Sequence, residues 1–237
     1  MPTWSKMKRF YEHAGVMEQD GVYLVVLDGR VVKTPAGSNL GSPTRALTKA
    51  MSEEWEKQSL EVNPETMSLC KLAATAIDRL NKKRDEVIGI TLKIAETDLL
   101  CYRVSEPEDL VALQNRGWDP ELEWAIDELD VMLKVTVGLI PVNQPEKSLL
   151  NLRNKLMSLT DFQLMGVTNA ASVAGSLILA LSMFYRRIDA QAMFEKSILE
   201  EKYQVERWGK DNEAMIKQEV LREDIKNSSR FLNLLSA

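Results

Sequence analysis

The chain has 237 residues, of which 45% are hydrophobic and 27% charged, and its formal net charge is -5 at pH 7. This length allows one large domain or two ordinary ones with a substantial core, and the apolar content excludes an intrinsically disordered chain. The acidic balance gives no attraction to nucleic acid or to an anionic membrane surface, so neither is expected as a partner.

The first part of the chain predicts a small antiparallel sheet. Two β-rich runs, residues 22–27 and 30–34, flank Asp28-Gly29. This dipeptide tolerates the positive φ angles of a type I′ turn, so a hairpin is expected here. A turn cluster at residues 35–39 predicts a return to a short third strand.

From residue 42 the pattern changes to helices. Three capping residues precede a proline, and each pair predicts a helix start: Ser42-Pro43, Asn63-Pro64 and Asp119-Pro120. Each of the first three predicted helices has one face expected to turn to the core. The first face is Leu47, Met51, Trp55 and Gln58, and the second is Met67, Leu72, Ala76 and Leu80. The third, in a helix at about residues 85–100, is Val87, Ile90, Ile94 and Leu99.

Two short β-like pieces, residues 101–104 and 133–137, interrupt the helical region beside proline or glycine. They could pair with each other or fold back onto the N-terminal sheet. Between them Trp118 begins a helical apolar stripe that includes Leu122, Ala125 and Leu129. After Pro145 further helices are predicted at residues 149–159, 162–185, 190–208 and 212–235.

The segment 162–185 contains no charged side chain. Its length is compatible with a membrane span, but six polar side chains interrupt it and its purely apolar part is short. We therefore expect one long helix, buried on all sides, at the centre of a helical bundle. No membrane insertion is expected.

The residues that most enzyme classes need are scarce. The chain has one histidine, His13, and two cysteines, Cys70 and Cys101, which make a weak set for zinc or a disulfide framework. No phosphate-binding glycine loop and no nucleophile motif occurs. We expect no catalysis, no metal and no cofactor. Without a signal peptide or an arginine-rich presequence, the expected location is the bacterial cytoplasm, or the mitochondrial matrix for a processed organellar chain.

The helix predicted at residues 190–208 has an acidic pair, Glu200 and Glu201. Glu200 could reach Lys196 or Gln204 one turn away. Glu201 falls within an apolar stripe made by Phe194, Ile198, Val205 and Trp208. Such a glutamate is costly unless it is paired, reaches solvent or lies on a surface that meets a partner, and periodicity leaves these alternatives open.

Seven groups of residues occur in the order typical of a known family. They are Arg9-Phe10-Tyr11; Leu27-Asp28-Gly29-Arg30 with Lys33-Thr34-Pro35; Glu54-Trp55 with Gln58; Thr75-Ala76-Ile77-Asp78; Thr97-Asp98 with Cys101-Tyr102-Arg103; Trp118-Asp119-Pro120 with Trp124-Ala125; and Leu199-Glu200-Glu201 with Gln204 and Trp208-Gly209. In these residues the chain resembles the Atp12-type assembly chaperones of the ATP synthase F(1) head.

The resemblance implies an α+β protein with a small β-rich N-terminal domain, residues 1–60, and a larger all-helical C-terminal domain, residues 61–237. It implies a non-enzymatic role: binding the free F(1) alpha subunit and protecting it from aggregation until the alpha/beta hexamer forms. A monomer is expected. The alternative is a helical adaptor or regulatory protein with a different partner.

The resemblance also implies that the acidic pair is a partner-binding site. The family's essential acid aligns with Glu200, whereas the apolar stripe singles out Glu201, so the choice stays open. The expected partner-binding residues are Glu200, Glu201, Gln204 and Trp208. Structural roles are expected for Trp55, Asp28, Gly29 and Trp118.

Overall fold

The computed structural model describes residues 4–138, 140–209 and 212–236, without the side chain of Asn81. The chain forms two compact units. Unit 1 contains Met1–Arg84, Thr160–Gly166 and Arg230–Ala237, and unit 2 contains Asp85–Leu159 and Val167–Ser229. The domain boundary expected near residue 60 stays a prediction, because a compact unit need not be an independently folding domain.

Unit 1 contains the antiparallel strands. They are β1 (Met7–Lys8), β2 (Ala14–Gln19), β3 (Val22–Leu27), β4 (Arg30–Val31), β5 (Gly41–Ser42) and β6 (Glu61–Val62). Strand β3 pairs with β2, β4 and β5, while β1 pairs with β6. The small N-terminal sheet expected from the sequence is therefore present.

Aspartate-glycine turns form two hairpins of this sheet. Asp28 and Gly29 have φ angles of 48° and 80° and join β3 to β4, which confirms the predicted hairpin. Asp20 and Gly21 have φ angles of 53° and 76° and join β2 to β3 in the same way. The sequence reasoning missed this second hairpin, because β2 has few β-branched residues although its turn dipeptide is equally strong.

Helix α1 (Arg45–Glu56) packs on the sheet and begins two residues later than Ser42-Pro43 indicates. The side chain of Thr44, not Ser42, caps it, since Thr44 Oγ1 accepts a hydrogen bond from the Leu47 backbone N–H at 3.3 Å. Ser42 Oγ in turn accepts from the Thr44 N–H at 3.3 Å. The predicted core face of α1, including Trp55 and the following Gln58, is buried, as expected.

Helices α2 (Ser68–Thr75) and α3 (Asn81–Glu96) are joined by a wider helical turn, Ala76–Leu80. A carboxylate from another helix caps α2: Glu54 accepts the backbone N–H groups of Leu69 and Cys70, both at 2.9 Å. Asn63 caps a short 3-10 helix, Pro64–Thr66, as its proline signal predicts. The predicted core face of α2 and this turn is buried.

The predicted face of α3 is partly wrong. Val87 is buried, but Ile90 is 45% exposed, while Ile88 and Thr91 are fully buried. Apolar residues lie on both sides of this helix, so periodicity alone does not select the buried side. Thr91 can be buried because its hydroxyl donates to the Val87 carbonyl at 2.8 Å and lies 2.8 Å from the hydroxyl of Thr168.

Unit 2 is mainly helical. Its elements are most of α3, then β7 (Tyr102–Arg103), α4 (Glu108–Leu129), β8 (Thr136–Val137), α5 (Glu146–Ser158), most of α6 (Asp161–Ala174), α7 (Leu177–Phe184), α8 (Ala190–Ser197), α9 (Leu199–Trp208) and most of α10 (Asn212–Leu234). Strands β7 and β8 pair in parallel, as one of the two alternatives predicts. Asp119-Pro120 does not begin a helix; it lies within α4, where Asp119 pairs with Arg103 at 2.8 Å.

The single helix predicted at residues 162–185 is wrong. It is divided into α6 and α7 at Gly175, whose φ is +68°, a left-handed conformation that glycine adopts without strain. Ser176 then caps α7, since its Oγ accepts from the Leu179 N–H at 3.0 Å. Helix α7 is buried from Leu177 to Met183, so the expectation of a buried apolar segment holds there. Within the described ranges, no helix is long and apolar enough to cross a membrane.

Candidate functional site

The predicted acidic site lies on α9, which packs closely against α4. A Cβ atom added to Gly117 of α4 would lie 2.5 Å from Leu199 Cδ1, so a glycine allows this approach. The helix predicted at residues 190–208 is in fact two helices, α8 and α9, interrupted at Ile198. This interruption changes the direction in which each acidic side chain of α9 faces.

Glu200 is half-buried and faces α4. Its Oε1 accepts a hydrogen bond from Gln114 Nε2, and Gln114 Oε1 accepts the Val104 N–H at 3.0 Å. Gln114 is completely buried, so its amide depends on these two partners. The expected partners of Glu200, Lys196 and Gln204, are therefore wrong.

Lys196 has a separate role in unit 2. Its Nζ donates to the Gly117 carbonyl at 2.6 Å and lies 3.4 Å from Glu121 Oε1. Glu121 is only 3% exposed and also accepts from Ser182 Oγ at 2.8 Å and Arg187 Nε at 3.1 Å. This buried carboxylate is thus paired with two cations, as a buried charge requires.

A second polar group fixes the same side of α9. The Tyr203 hydroxyl donates to Asp109 Oδ1 at 2.8 Å, and Arg207 forms an ion pair with the other Asp109 oxygen. The Arg207 guanidinium also lies 4.7 Å from the centre of the Tyr203 ring. The hydrogen bond from Tyr203, helped by Arg207, lowers the pKa of Asp109, so this carboxylate stays ionised at neutral pH.

The opposite side of α9 is open. Glu201, Gln204 and Trp208 are spaced three and four residues apart, which places them on one side of the helix, and all three are exposed. Trp208 is 77% exposed, and Glu201 accepts a long hydrogen bond of 3.4 Å from Gln218. We call these three residues the α9 outer face.

The apolar stripe expected around Glu201 is wrong. Phe194 and Ile198 are buried, but they precede α9, and the interruption at Ile198 places Glu201 on the exposed side. The structure thus brings the predicted partner-binding residues together on one helix but divides them between two sides. Their contact with a partner stays a prediction.

The four residues with expected structural roles occupy positions of low freedom. Trp55 and Trp118 are 2% and 1% exposed. The Asp28 carboxylate accepts the backbone N–H groups of Glu12 at 3.0 Å and His13 at 2.9 Å, and Gly29 provides the second positive φ angle of the turn. The stability cost of replacing these residues stays a prediction.

Several other motif residues also hold the fold together. Asp78 accepts from Thr34 Oγ1 at 2.6 Å and from the Ala36 N–H at 3.0 Å, which ties the turn after β4 to the helical part of unit 1. In unit 2 the guanidinium of Arg103 lies 5.1 Å from the centre of the Trp118 ring. These side chains face the interior, which leaves the α9 outer face as the exposed part of the predicted site.

Metal binding has no support in the described ranges, where no group of three histidine, cysteine, aspartate or glutamate residues could hold an ion. Both cysteines, Cys70 and Cys101, are buried and free of a disulfide. His13 is exposed, and its backbone N–H donates to Asp28.

A family model described as ATP12 chaperone protein matches residues 8–126, which is half of the chain. The chain belongs to this family. The expected membership of the Atp12-type assembly chaperones of ATP synthase is thereby confirmed, and the matched region includes Asp28, Trp55 and Trp118 but not α9.

Relatives extend the similarity of this ATP12 family member over nearly its whole length. Protein atp12, mitochondrial, of Schizosaccharomyces pombe is 27% identical over 241 residues, covering 97% of this chain and 82% of the relative. The solved structure of Atp12 from Paracoccus denitrificans is 37% identical, with a TM-score of 0.91 over 96% of this chain and 98% of that chain.

A mutant of P. denitrificans Atp12p with an aspartate replaced by lysine has the same identity and TM-score, over 96% of this chain and 97% of that chain. The predicted α+β class, a β-rich N-terminal part followed by helices, is confirmed by these similarities. The family is one of chaperones.

Sequence reasoning missed the residues that orient α9. Gln114 and Asp109 lie 86 and 94 residues before their partners Glu200 and Tyr203. No local pattern links positions so far apart. Tyr203 could have been suspected, because it is the one aromatic residue on the inner side of a charged helix.

Proposed function

We propose that this protein is a non-enzymatic assembly chaperone that binds the free alpha subunit of the ATP synthase F(1) head and releases it when beta subunits assemble. Membership of the ATP12 chaperone family supports the chaperone role. The structural observation that carries the proposal is Trp208, a large aromatic side chain that is 77% exposed on the α9 outer face. Tryptophan is prominent among residues that contribute most to protein interfaces.

The chemistry of the α9 outer face suits reversible binding. A free alpha subunit exposes apolar surface that its neighbours cover in the hexamer, and such surface aggregates. Trp208 can cover part of that surface, whereas Glu201 and Gln204 provide polar contacts whose loss on release is compensated by water. The following helix α10 adds apolar side chains at Ile216, 66% exposed, and Val220, 58% exposed.

We infer different roles for the two glutamates. Glu200 positions α9, because its carboxylate is the acceptor for the buried amide of Gln114. Glu201 contacts the partner, because its side chain is exposed beside Trp208 on the same side of the helix. A lysine at position 200 would therefore weaken folding as well as binding, whereas a lysine at 201 would weaken binding alone.

Light scattering of isolated alpha subunit tests the chaperone role. We expect the wild-type protein to suppress aggregation of the alpha subunit and not of the beta subunit. Trp208→Ala and Glu201→Lys should require a higher concentration for the same suppression, while their thermal unfolding midpoints stay unchanged. Glu128→Lys is the matched control, since Glu128 is an exposed acid of α4.

Two results would contradict the proposal. Equal suppression by wild type and Trp208→Ala would remove the α9 outer face from the binding site. Equal protection of alpha and beta subunits would indicate a general holding activity without the proposed preference. The location, a bacterial cytoplasm or a mitochondrial matrix, is proposed on the same family basis; the S. pombe relative is mitochondrial by its name.

A further inference from the structure

Unit 1 contains a cavity of about 470 Å³ that none of the roles described above uses. This volume lies within the ~300–1,000 Å³ typical of ligand pockets. Four aromatic residues line it: Trp4, Phe10, Tyr11 and Trp55. They form a continuous chain of edge contacts, with ring centres 5.7 Å apart for Trp4 and Trp55, 5.9 Å for Trp55 and Tyr11, and 5.4 Å for Tyr11 and Phe10. The cavity thus offers an aromatic wall, whose accessible part is Phe10 and Trp4 because Trp55 and Tyr11 are 2% and 6% exposed.

The charges around this wall favour an acidic group. Arg30 and Lys33 line the cavity, and Asp28 is the one acid among the described lining residues. The Asp28 oxygens already accept the backbone N–H groups of Glu12 and His13. Lys33 donates to the neutral side chain of Asn39 at 2.6 Å, so its charge is not neutralised there. The lining is net positive in a protein whose net charge is -5.

Arg30 is available to a ligand in a way that Arg9 is not. The guanidinium of Arg9 donates to the carbonyls of Tyr11, Glu56, Gln58 and Glu12 and forms an ion pair with the Glu56 carboxylate at 3.1 Å. The Arg30 side chain is exposed and forms no hydrogen bond or ion pair with any residue in the described ranges. Its charge is therefore free for an incoming carboxylate.

Phe10 is available to the apolar part of a ligand, as Arg30 is to its carboxylate. Its side chain is 67% exposed, although it contacts the ring of Tyr11. The neighbouring Leu60 is 87% exposed, and its carbonyl accepts the Arg9 N–H at 2.9 Å, so a second apolar side chain lies close to this edge of unit 1. An apolar surface beside the cavity suits a chain that continues beyond one inserted side chain.

We propose that this cavity binds an aromatic side chain that stands next to a carboxylate in an extended segment of a partner protein. The aromatic ring packs against Trp4 and Phe10, the accessible part of the aromatic wall, and the carboxylate pairs with Arg30. This site lies in unit 1, whereas the α9 outer face lies in unit 2. A negative result for this site would therefore leave the proposed binding of the alpha subunit untouched, and the reverse also holds.

Fluorescence anisotropy of a labelled peptide with the sequence Gly-Ser-Phe-Asp-Ser-Gly tests the proposal on the whole 237-residue chain. We expect saturable binding, and about tenfold weaker binding when the peptide carries Phe-Lys or Ala-Asp in place of Phe-Asp. Phe10→Ala should weaken binding of the Phe-Asp peptide. Arg30→Glu should reverse the preference, so that the Phe-Lys peptide binds better.

The reversal separates recognition from folding, since a misfolded variant would lose both peptides. Arg45→Glu is the matched control, because Arg45 is exposed in unit 1 and does not line this cavity. Its peptide preference should equal that of the wild type. Absence of saturable binding, or an unchanged preference in a folded Arg30→Glu variant, would overturn the proposal. Binding of free phenylacetate as tightly as the peptide would assign the cavity to a small aromatic acid and overturn it too.

Discussion

Trp118 and Trp208 are a matched pair of tryptophans in unit 2, one buried and one exposed. Trp118 is 1% exposed, its indole N–H donates to the Lys196 carbonyl at 2.9 Å, and Arg103 lies over its ring. Trp208 is 77% exposed. Replacing each with alanine separates the structural role of Trp118 from the proposed binding role of Trp208.

The expected loss of unfolding free energy for each variant follows from these contacts. Truncating a large buried aromatic costs about 3–5 kcal/mol of unfolding free energy. Trp118→Phe keeps most of the volume but leaves the Lys196 carbonyl without its donor, so about 1–3 kcal/mol is expected. Trp208→Ala removes no buried contact, and its cost should stay within about 0.5 kcal/mol.

Urea unfolding followed by circular dichroism measures these differences, with the midpoint and the slope compared between variants. The order of stability should be wild type, Trp208→Ala, Trp118→Phe and Trp118→Ala. The reasoning is refuted if Trp118→Ala unfolds at the wild-type midpoint, or if Trp208→Ala is destabilised as strongly as Trp118→Ala.

Three further predictions concern buried or half-buried groups. Trp55→Ala should cost about 3–5 kcal/mol by the same cavity argument, and an unchanged unfolding midpoint would contradict its core position. Glu54→Ala should cost about 1–3 kcal/mol of unfolding free energy, because the N–H groups of Leu69 and Cys70 lose their acceptor. Thermal unfolding by calorimetry measures this loss of stability. A variant as stable as the wild type would show that water replaces the carboxylate. Burial raises the pKa of Asp98 from 3.8 to about 6. The protonated side chain therefore contributes up to roughly 3 kcal/mol to the unfolding free energy below about pH 4, and this contribution is lost as the pH rises through about 6. The difference in unfolding free energy between wild type and Asp98→Asn should therefore decrease from about pH 4 to about pH 7, and a constant difference would exclude this titration.

Local signals were enough to predict the Asp28-Gly29 turn and the core face of α1. Asp28-Gly29 specifies its hairpin because two adjacent residues must adopt positive φ angles, and this requirement is contained in the dipeptide itself. The core face of α1 follows from the spacing of Leu47, Met51 and Trp55, all of them buried. These features depend on neighbours in sequence.

The two divided helices show where local signals fail. Hydrophobicity continues across Gly175, yet the chain breaks there, and the buried Asp98 carboxylate accepts the N–H of Ile178 at 3.2 Å at the start of the next helix. A glycine within an apolar run fits either a continuous helix or a break. The deciding group, Asp98, is 80 residues away from Ile178.

Local sequence signals also failed at the acidic site. Counting 3.6 residues per turn through Ile198 placed Glu201 on the buried stripe, but the interruption at that residue resets the phase. Family resemblance indicated this helix and this pair of acids as a partner-binding site, which stays a prediction. The orientation of Glu200 toward Gln114 and of Glu201 toward solvent required the fold.

The most direct measurement of the central claim is the exchange of partners on the alpha subunit. Sedimentation velocity of this protein mixed with isolated alpha subunit should show a complex, and addition of beta subunit should return the protein to its free sedimentation coefficient as alpha and beta associate. If the protein forms no complex with alpha, or stays bound after beta is added, the result would contradict the proposed role as an assembly chaperone of this subunit.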